Sequence, residues 1–148
     1  MVPASPCLRP AEEADADRIA ALSIQLGYPA TPEVIQERLR LLARPGEPPV
    51  LVAVVDGEVA GWVQVGRTFS LEAGAQAILQ GLVVDEACRG RGIGAALVAA
   101  AEAWTRAQGL GILRVRTNTA RTDTHRFYTN LGFQEVKRQV VFQKDLGG

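Results

Sequence analysis

The sequence predicts a mixed α/β fold: a twisted, mostly antiparallel sheet with one parallel strand pair, flanked by about four helices. Three observations predict it. Asp56-Gly57 joins two strand-like runs as a hairpin turn, a long apolar helical pattern separates two further strand patterns, and two more helical patterns precede the first hairpin. A strand, helix, strand unit closes as a right-handed parallel crossover, whereas hairpins are antiparallel. With 148 residues, 47% hydrophobic and 22% charged, the chain has material for one core and one domain over residues 1–148.

Each element follows from local pattern. Acidic residues from Glu12 to Asp17 suit the positive end of a helix, and Ile19, Leu22 and Leu26 recur at helical spacing, which predicts a helix over about 12–25. Gly27-Tyr28-Pro29 breaks it. Thr31-Pro32 then reads as a cap followed by proline at the first helical position, opening a second helix that ends before Pro45. Residues 50–55 form a continuous apolar run of strand length. In the return strand, 58 to about 69, Val59, Gly61, Val63 and Val65 alternate with Glu58, Ala60, Trp62 and Gln64. A second hairpin through Glu72 and Gly74 leads to a strand over 75–84, with Gly81 fitting a local bulge. A helix over about 94–108 presents Ile93, Leu97, Ala101 and Trp104 on one face, and Gly109 and Gly111 end it. A strand over 112–118, a short helix over about 122–130 and a final strand or hairpin over 133–144 complete the chain. Trp62, Trp104 and Phe69 are expected in the core, with Trp62 and Tyr28 the aromatic candidates for lining an acceptor cleft.

Charge and cysteine content exclude several functions. Sixteen basic residues balance sixteen acidic ones, and the sequence pI is about 6.6. No global field therefore draws the protein to nucleic acid or an anionic membrane, and neither is expected as a partner. Cys7, Cys88 and the single His125 lack the paired spacing of a zinc site, so no metal is expected. One distant cysteine pair is a poor disulfide framework, and residues 1–10 carry no leader pattern, so a cytoplasmic location is expected. The apolar run from Ile93 to Ala101 falls short of the ~18 to 20 residues of a spanning helix.

Arg89-Gly90-Arg91-Gly92-Ile93-Gly94 stands above background, placed between a predicted strand and a predicted helix. Alternate glycines remove the β-carbons that keep a ligand off the backbone and let successive N–H groups turn toward one concavity. The helix that follows adds its partial positive end, and two arginines add full charges, which together suit a pyrophosphate. A plain glycine-rich turn is the alternative. No Gly-Lys-Ser/Thr occurs, which excludes a P-loop. A dinucleotide fingerprint through Gly90, Gly92 and Ala95 fits less well, because residues 85–89 intervene after the strand and no acidic residue ends the next one.

The run from Leu82 to Leu97 resembles the acetyl-CoA signature of the GNAT N-acetyltransferases, Q/R-x-x-G-x-G/A after a strand, satisfied by Arg89, Gly92 and Gly94. A second stretch, His125-Arg-Phe-Tyr128-Thr-Asn-Leu-Gly132-Phe133, resembles the family's late helix and the Gly-Phe that follows it. The resemblance covers residues 50–146, and Glu86 stands where the family usually has proline.

The resemblance implies a GNAT-like fold that transfers an acetyl group from acetyl-CoA to a primary amine of an unidentified acceptor by direct attack in a ternary complex, the acceptor being a small molecule or a peptide. It assigns the cofactor to Leu82, Val83 and Val84 on a splayed strand, to Arg89, Gly90, Arg91, Gly92, Ile93, Gly94 and Ala95 in the loop and helix start, and to Asn118 and Tyr128. Val84 N–H would donate to the oxyanion, and Tyr128 would protonate the departing thiolate. Tyr128 packing among Phe127 and Phe133, and Asn118 capping a turn, are the alternative readings. An alkylamine is mostly protonated at neutral pH, so a base or water chain must take its proton. No base stands out: Gln80 lies on the strand where some relatives have glutamate, and Glu72 and Asp85 are alternative candidates that no pattern singles out. His125 reads as a surface or capping residue and Cys88 as a packed thiol. A possible homodimer follows from the family. A non-catalytic acyl-CoA-binding or regulatory module and, more remotely, a nucleotide-binding domain are the competing readings.

Overall fold

The computed structural model describes residues 6–117 and 119–148. In chain order the elements are β1 (Cys7–Pro10), a 3-10 turn (Glu13–Asp15), α1 (Ala16–Leu26), α2 (Pro32–Leu42), β2 (Val50–Val55), β3 (Glu58–Ser70), β4 (Gly74–Val84), a second 3-10 turn (Glu86–Cys88), α3 (Ile93–Ala107), β5 (Leu113–Val115) and α4 (Thr122–Asn130). The five strands lie in the order β1-β2-β3-β4-β5; the first three pairings are antiparallel and β4 pairs β5 in parallel. The mixed, mostly antiparallel sheet with one parallel pair is thus present, with helices before and after its hairpins. The chain divides into two compact units, one reaching to Arg116 and one from Thr117 to Gly148.

The first unit holds the sheet. Asp56 (φ 52°) and Gly57 (φ 79°) both adopt the left-handed conformation of a primed two-residue turn, whose twist matches the flanking strands. Thr31 caps α2 through its hydroxyl, which accepts from the Val34 N–H at 3.3 Å, and Pro32 takes the first helical position. Gly27 closes α1 at φ 90°. Neighbouring strand residues point to opposite faces, and the helices use both. Ile19, Leu22 and Leu39 of α1 and α2 cluster with Val52, Val83 and the half-buried Trp62. On the other face Ile93 and Leu97 of α3 press so closely on Gly61 that a β-carbon there would meet Leu97 at 3.2 Å.

Two differences from the sequence reading concern strands. β1 is a strand that the sequence pattern does not announce; it forms by pairing, Cys7 opposite Val54 through Pro10 opposite Leu51. Arg9 then grips Asp15 through a fork of two bonds at 2.8 and 2.9 Å, tying the strand to the turn ahead of α1. The predicted strand over 112–118 shortens to Leu113–Val115, the three residues that find partners on β4.

In the second unit α4 spans the predicted residues. The expected final strand or hairpin over 133–144 is not formed: residues 133–148 carry no strand pairing, and Val140, Val141 and Phe142 are exposed, Phe142 to 91%. Alternating apolar residues make a strand only where a neighbouring strand accepts their backbone bonds, and among the described residues none does. Phe69 is likewise corrected: it stands 78% exposed near the tip of the β3–β4 hairpin, beyond the reach of the packed helices.

Candidate active site

The loop between β4 and α3 has the geometry its glycines predict. Gly90 (φ 83°) and Gly92 (φ 78°) are both left-handed, and a β-carbon on either would point into open space. The first bond of α3 runs from the Ala96 N–H to the Gly92 carbonyl at 3.0 Å. Among the described residues the N–H groups of Gly90, Arg91, Gly92, Ile93, Gly94 and Ala95 donate to no protein acceptor. Six amides at the positive end of a 15-residue helix, with Arg89 and Arg91 exposed beside them, form a ready anion site. Ile93 and Gly94 are buried, so the helix start is fixed on the sheet while the glycine turn faces out.

The strand that leads into this loop is open on one side. β4 pairs β5 only over Ala77–Leu79, so residues 82–84 have lost that neighbour. On its other side β4 stays paired with β3 to its end, and the Asp85 N–H donates to the Ala60 carbonyl at 2.8 Å. Backbone groups alternate in direction along a strand. Leu82 and Val84 therefore aim their N–H and C=O groups toward the vacated side, while those of Val83 face β3 and its side chain lies in the core. The register between β3 and β4 shifts at Gln64 and Val65, leaving Gln80 unpaired next to Gly81, so the expected bulge is present.

Tyr128 lies in the second unit, on α4. Its ring meets Phe127 and Phe133 edge-on, at centroid distances of 5.0 and 5.4 Å, and only 8% of the residue is exposed. Burial pushes its phenol up to about 12, against a smaller opposing pull from Arg121. The packing and the polar handle thus coexist in one residue. Asn118 lies outside the described residues.

The first unit also carries a groove of about 270 Å3 that the sequence reading did not foresee, lined by Leu42 at the end of α2, by Glu47 and Pro48 after it, and by Gln64, Arg67 and Gln80 on the sheet. No local motif marks it, because its lining comes from three stretches far apart in sequence. Tyr28 is 69% exposed and does not line it; Trp62 turns an edge of its six-membered ring toward Gly81, with Gln64 next to it on β3.

Residues 16–133 match the family model of the GNAT acetyltransferases. The chain belongs to the GNAT acetyltransferase family. This acetyltransferase is 30% identical over 150 residues to an aminoglycoside N(6')-acetyltransferase type 1 of Stenotrophomonas maltophilia, covering 99% of the chain and 97% of that protein. Among solved structures it resembles aminoglycoside N-acetyltransferase AAC(6')-Iy in complex with CoA, with a TM-score of 0.83 and 19% identity over 97% of this chain and 99% of that one. It also resembles a protein of Bacillus halodurans C-125 described as a transcriptional regulator, with a TM-score of 0.84 and 23% identity over 94% of this chain and 99% of that one. The family uses acetyl-CoA as acetyl donor to an amine, and the free amides and open glycines after β4 fit such a donor.

The carboxylates weighed as bases in the acetyltransferase are placed away from that task. Asp85 accepts from the Ala87 N–H at 3.1 Å, from Arg18 and from Gln25, and these bonds, the Ala87 one foremost, hold its carboxyl below the usual range. Glu72 sits exposed in the β3–β4 turn, and the Gln80 amide has no proton affinity to offer. Cys88 is a free, half-buried thiol. Among the described residues no group of three or more His, Cys, Asp or Glu could hold a metal ion.

Proposed function

We propose that this acetyltransferase acts as one domain over residues 1–148 and carries an acetyl group from acetyl-CoA to a primary amine of a small polycationic acceptor of the aminoglycoside kind. Transfer occurs by direct attack in a ternary complex. The six unclaimed amides from Gly90 to Ala95 are the observation that carries the cofactor assignment. The acceptor class rests on the relative from Stenotrophomonas maltophilia, and the single domain on a family match that crosses the junction at Arg116.

In this reading the diphosphate is held by those amides with Arg89 and Arg91, at the start of α3. The open edge of β4, through the backbone groups of Leu82 and Val84, pairs with the pantetheine arm as an added strand would, while Val83 between them keeps its polar groups on β3. Asn118 supplies a further polar contact to the arm. The N–H of Val84, aimed at the vacated side, donates to the oxygen that gains charge as the amine attacks. Tyr128 presents its proton to the departing sulfur. Its phenol near 12 lies roughly three to four pK units above an ordinary thiol, so the group acts through a strong hydrogen bond more than by surrendering the proton. With no carboxylate at Gln80, the amine loses its proton to water.

We also infer that the protein works in the cytoplasm, as a homodimer, without nucleic acid or membrane partners. The balanced charge supports the last point; the exposed Val140, Val141 and Phe142 support self-association. Among the described residues no helix is long and apolar enough to cross a membrane.

The test is CoA release from acetyl-CoA with a panel of aminoglycosides, simple alkylamines and peptides. Aminoglycoside-dependent release that exceeds hydrolysis supports the reading. CoA binding with no amine-dependent release would instead support the non-catalytic module, and NAD binding without CoA binding a nucleotide-binding domain.

A further inference from the structure

We propose that Gln25, with Arg18 beside it on α1, is a positioning residue for the cofactor loop. This rests on the cofactor reading above. Between the end of β4 and the start of α3 the backbone is tethered lightly. Asp85 bonds to Ala60, Cys88 N–H donates to the Asp85 carbonyl at 2.9 Å and Arg89 N–H to the Glu86 carbonyl at 3.4 Å; the next six amides are unclaimed. Their convergence on one anion therefore depends on how Asp85 and Glu86 are held.

Both are held from α1. The Gln25 amide is used at both ends: its oxygen accepts the Glu86 N–H at 3.0 Å and its nitrogen donates to Asp85 Oδ1 at 3.4 Å. Arg18, two turns earlier, donates through Nη2 to Asp85 Oδ2 and through Nε to the Val59 carbonyl at 2.8 Å, pinning the same aspartate to the β3 hairpin. Asp85 in turn caps the short 3-10 turn through the Ala87 N–H at 3.1 Å. The chain of contacts runs from α1 through the Asp85 carboxylate into the turn that launches the glycine loop. Gln25 itself is exposed, so its side chain is spared from core packing and available for this contact. A substituted glutamine at such a place is felt in ligand geometry, where small displacements are costly, before it is felt in stability.

The experiment measures CoA dissociation by calorimetry, melting temperature and steady-state kinetics for wild type, Gln25→Ala and Gln25→Glu. Gln25→Ala is expected to weaken CoA binding and raise the KM for acetyl-CoA by about three- to tenfold, the worth of one to two modest hydrogen bonds, with kcat at saturation, acceptor KM and melting temperature unchanged. Gln25→Glu keeps the acceptor for Glu86 but sets a carboxylate against Asp85, and is expected to bind CoA less well than Gln25→Ala. CoA affinity within twofold of wild type in both variants overturns the proposal, as does a rise of both KM values together with a fallen melting temperature. A wild-type protein that fails to bind CoA overturns the cofactor reading itself.

Discussion

The Trp62 indole fills the place of a side chain at Gly81: a β-carbon built on Gly81 would lie 2.7 Å from two atoms of the six-membered ring. Gly81→Ala should therefore cost about 1–3 kcal/mol, as overpacking of a fitted site does. Trp62→Leu in the same chain should restore part of it, a coupling measurable by urea unfolding of the four corners of a double-mutant cycle. Gly66 offers the control. Its added β-carbon would meet only the Gln80 amide at 2.7 Å, the far end of an exposed flexible side chain, so Gly66→Ala should change stability by less than about 0.5 kcal/mol.

Gly92→Ala should separate folding from binding. At φ 78° an alanine costs about 1–2 kcal/mol of backbone strain, borne by the turn that holds the unclaimed amides, while its methyl group would meet no other atom within 4 Å. CoA affinity measured by calorimetry should fall at least tenfold while the protein remains folded by circular dichroism. Unchanged affinity would remove the loop from the cofactor site.

Tyr128 yields two readouts. Tyr128→Phe should lower kcat by about ten- to a hundredfold, the worth of one hydrogen bond to the charge that develops on the departing sulfur, with CoA affinity within twofold. In a Tyr28→Phe background, phenolate absorbance should appear only near pH 12. The native phenol is raised above its unfolded value near 10, so its contribution to stability is whole below about pH 10 and is lost as pH climbs through about 12. Urea midpoints across that alkaline window should fall more steeply for the protein with Tyr128 than for Tyr128→Phe.

Asp15 acts in the opposite direction. Chiefly the Arg9 fork, helped by the Glu12 N–H at 2.8 Å, holds its buried carboxyl below the usual range. Its contribution is complete above about pH 4 and disappears as pH falls through the lowered native value. Asp15→Asn should cost about 1–3 kcal/mol at neutral pH, and the difference from wild type should shrink as unfolding is followed into acid.

How far the sequence carried the fold depends on where each element keeps its information. Thr31-Pro32, Asp56-Gly57 and the glycines at 90 and 92 encode a backbone conformation in the residues themselves, and each is found as read. α4 was also read at its observed bounds, Thr122–Asn130, although no side-chain cap marks its start. β1 was not, since four residues beside prolines become a strand only through their register with β2. Residues 133–144 show the converse, alternation without a partner strand. At the candidate site, the loop was legible because Gly90 and Gly92 carry its backbone conformation in the residues themselves. The groove around Glu47 and Gln80, and the contact of Gln25 with Glu86, join residues far apart in sequence and left no pattern to read.

The short strand at the start of the sheet stops at Pro10, whose nitrogen has no hydrogen to give. That margin of the sheet is blunt: an extended chain arriving there finds an interrupted template. Fibre growth by lateral recruitment is thereby discouraged along this flank, and conditions that drive the protein out of solution should act first elsewhere on its surface.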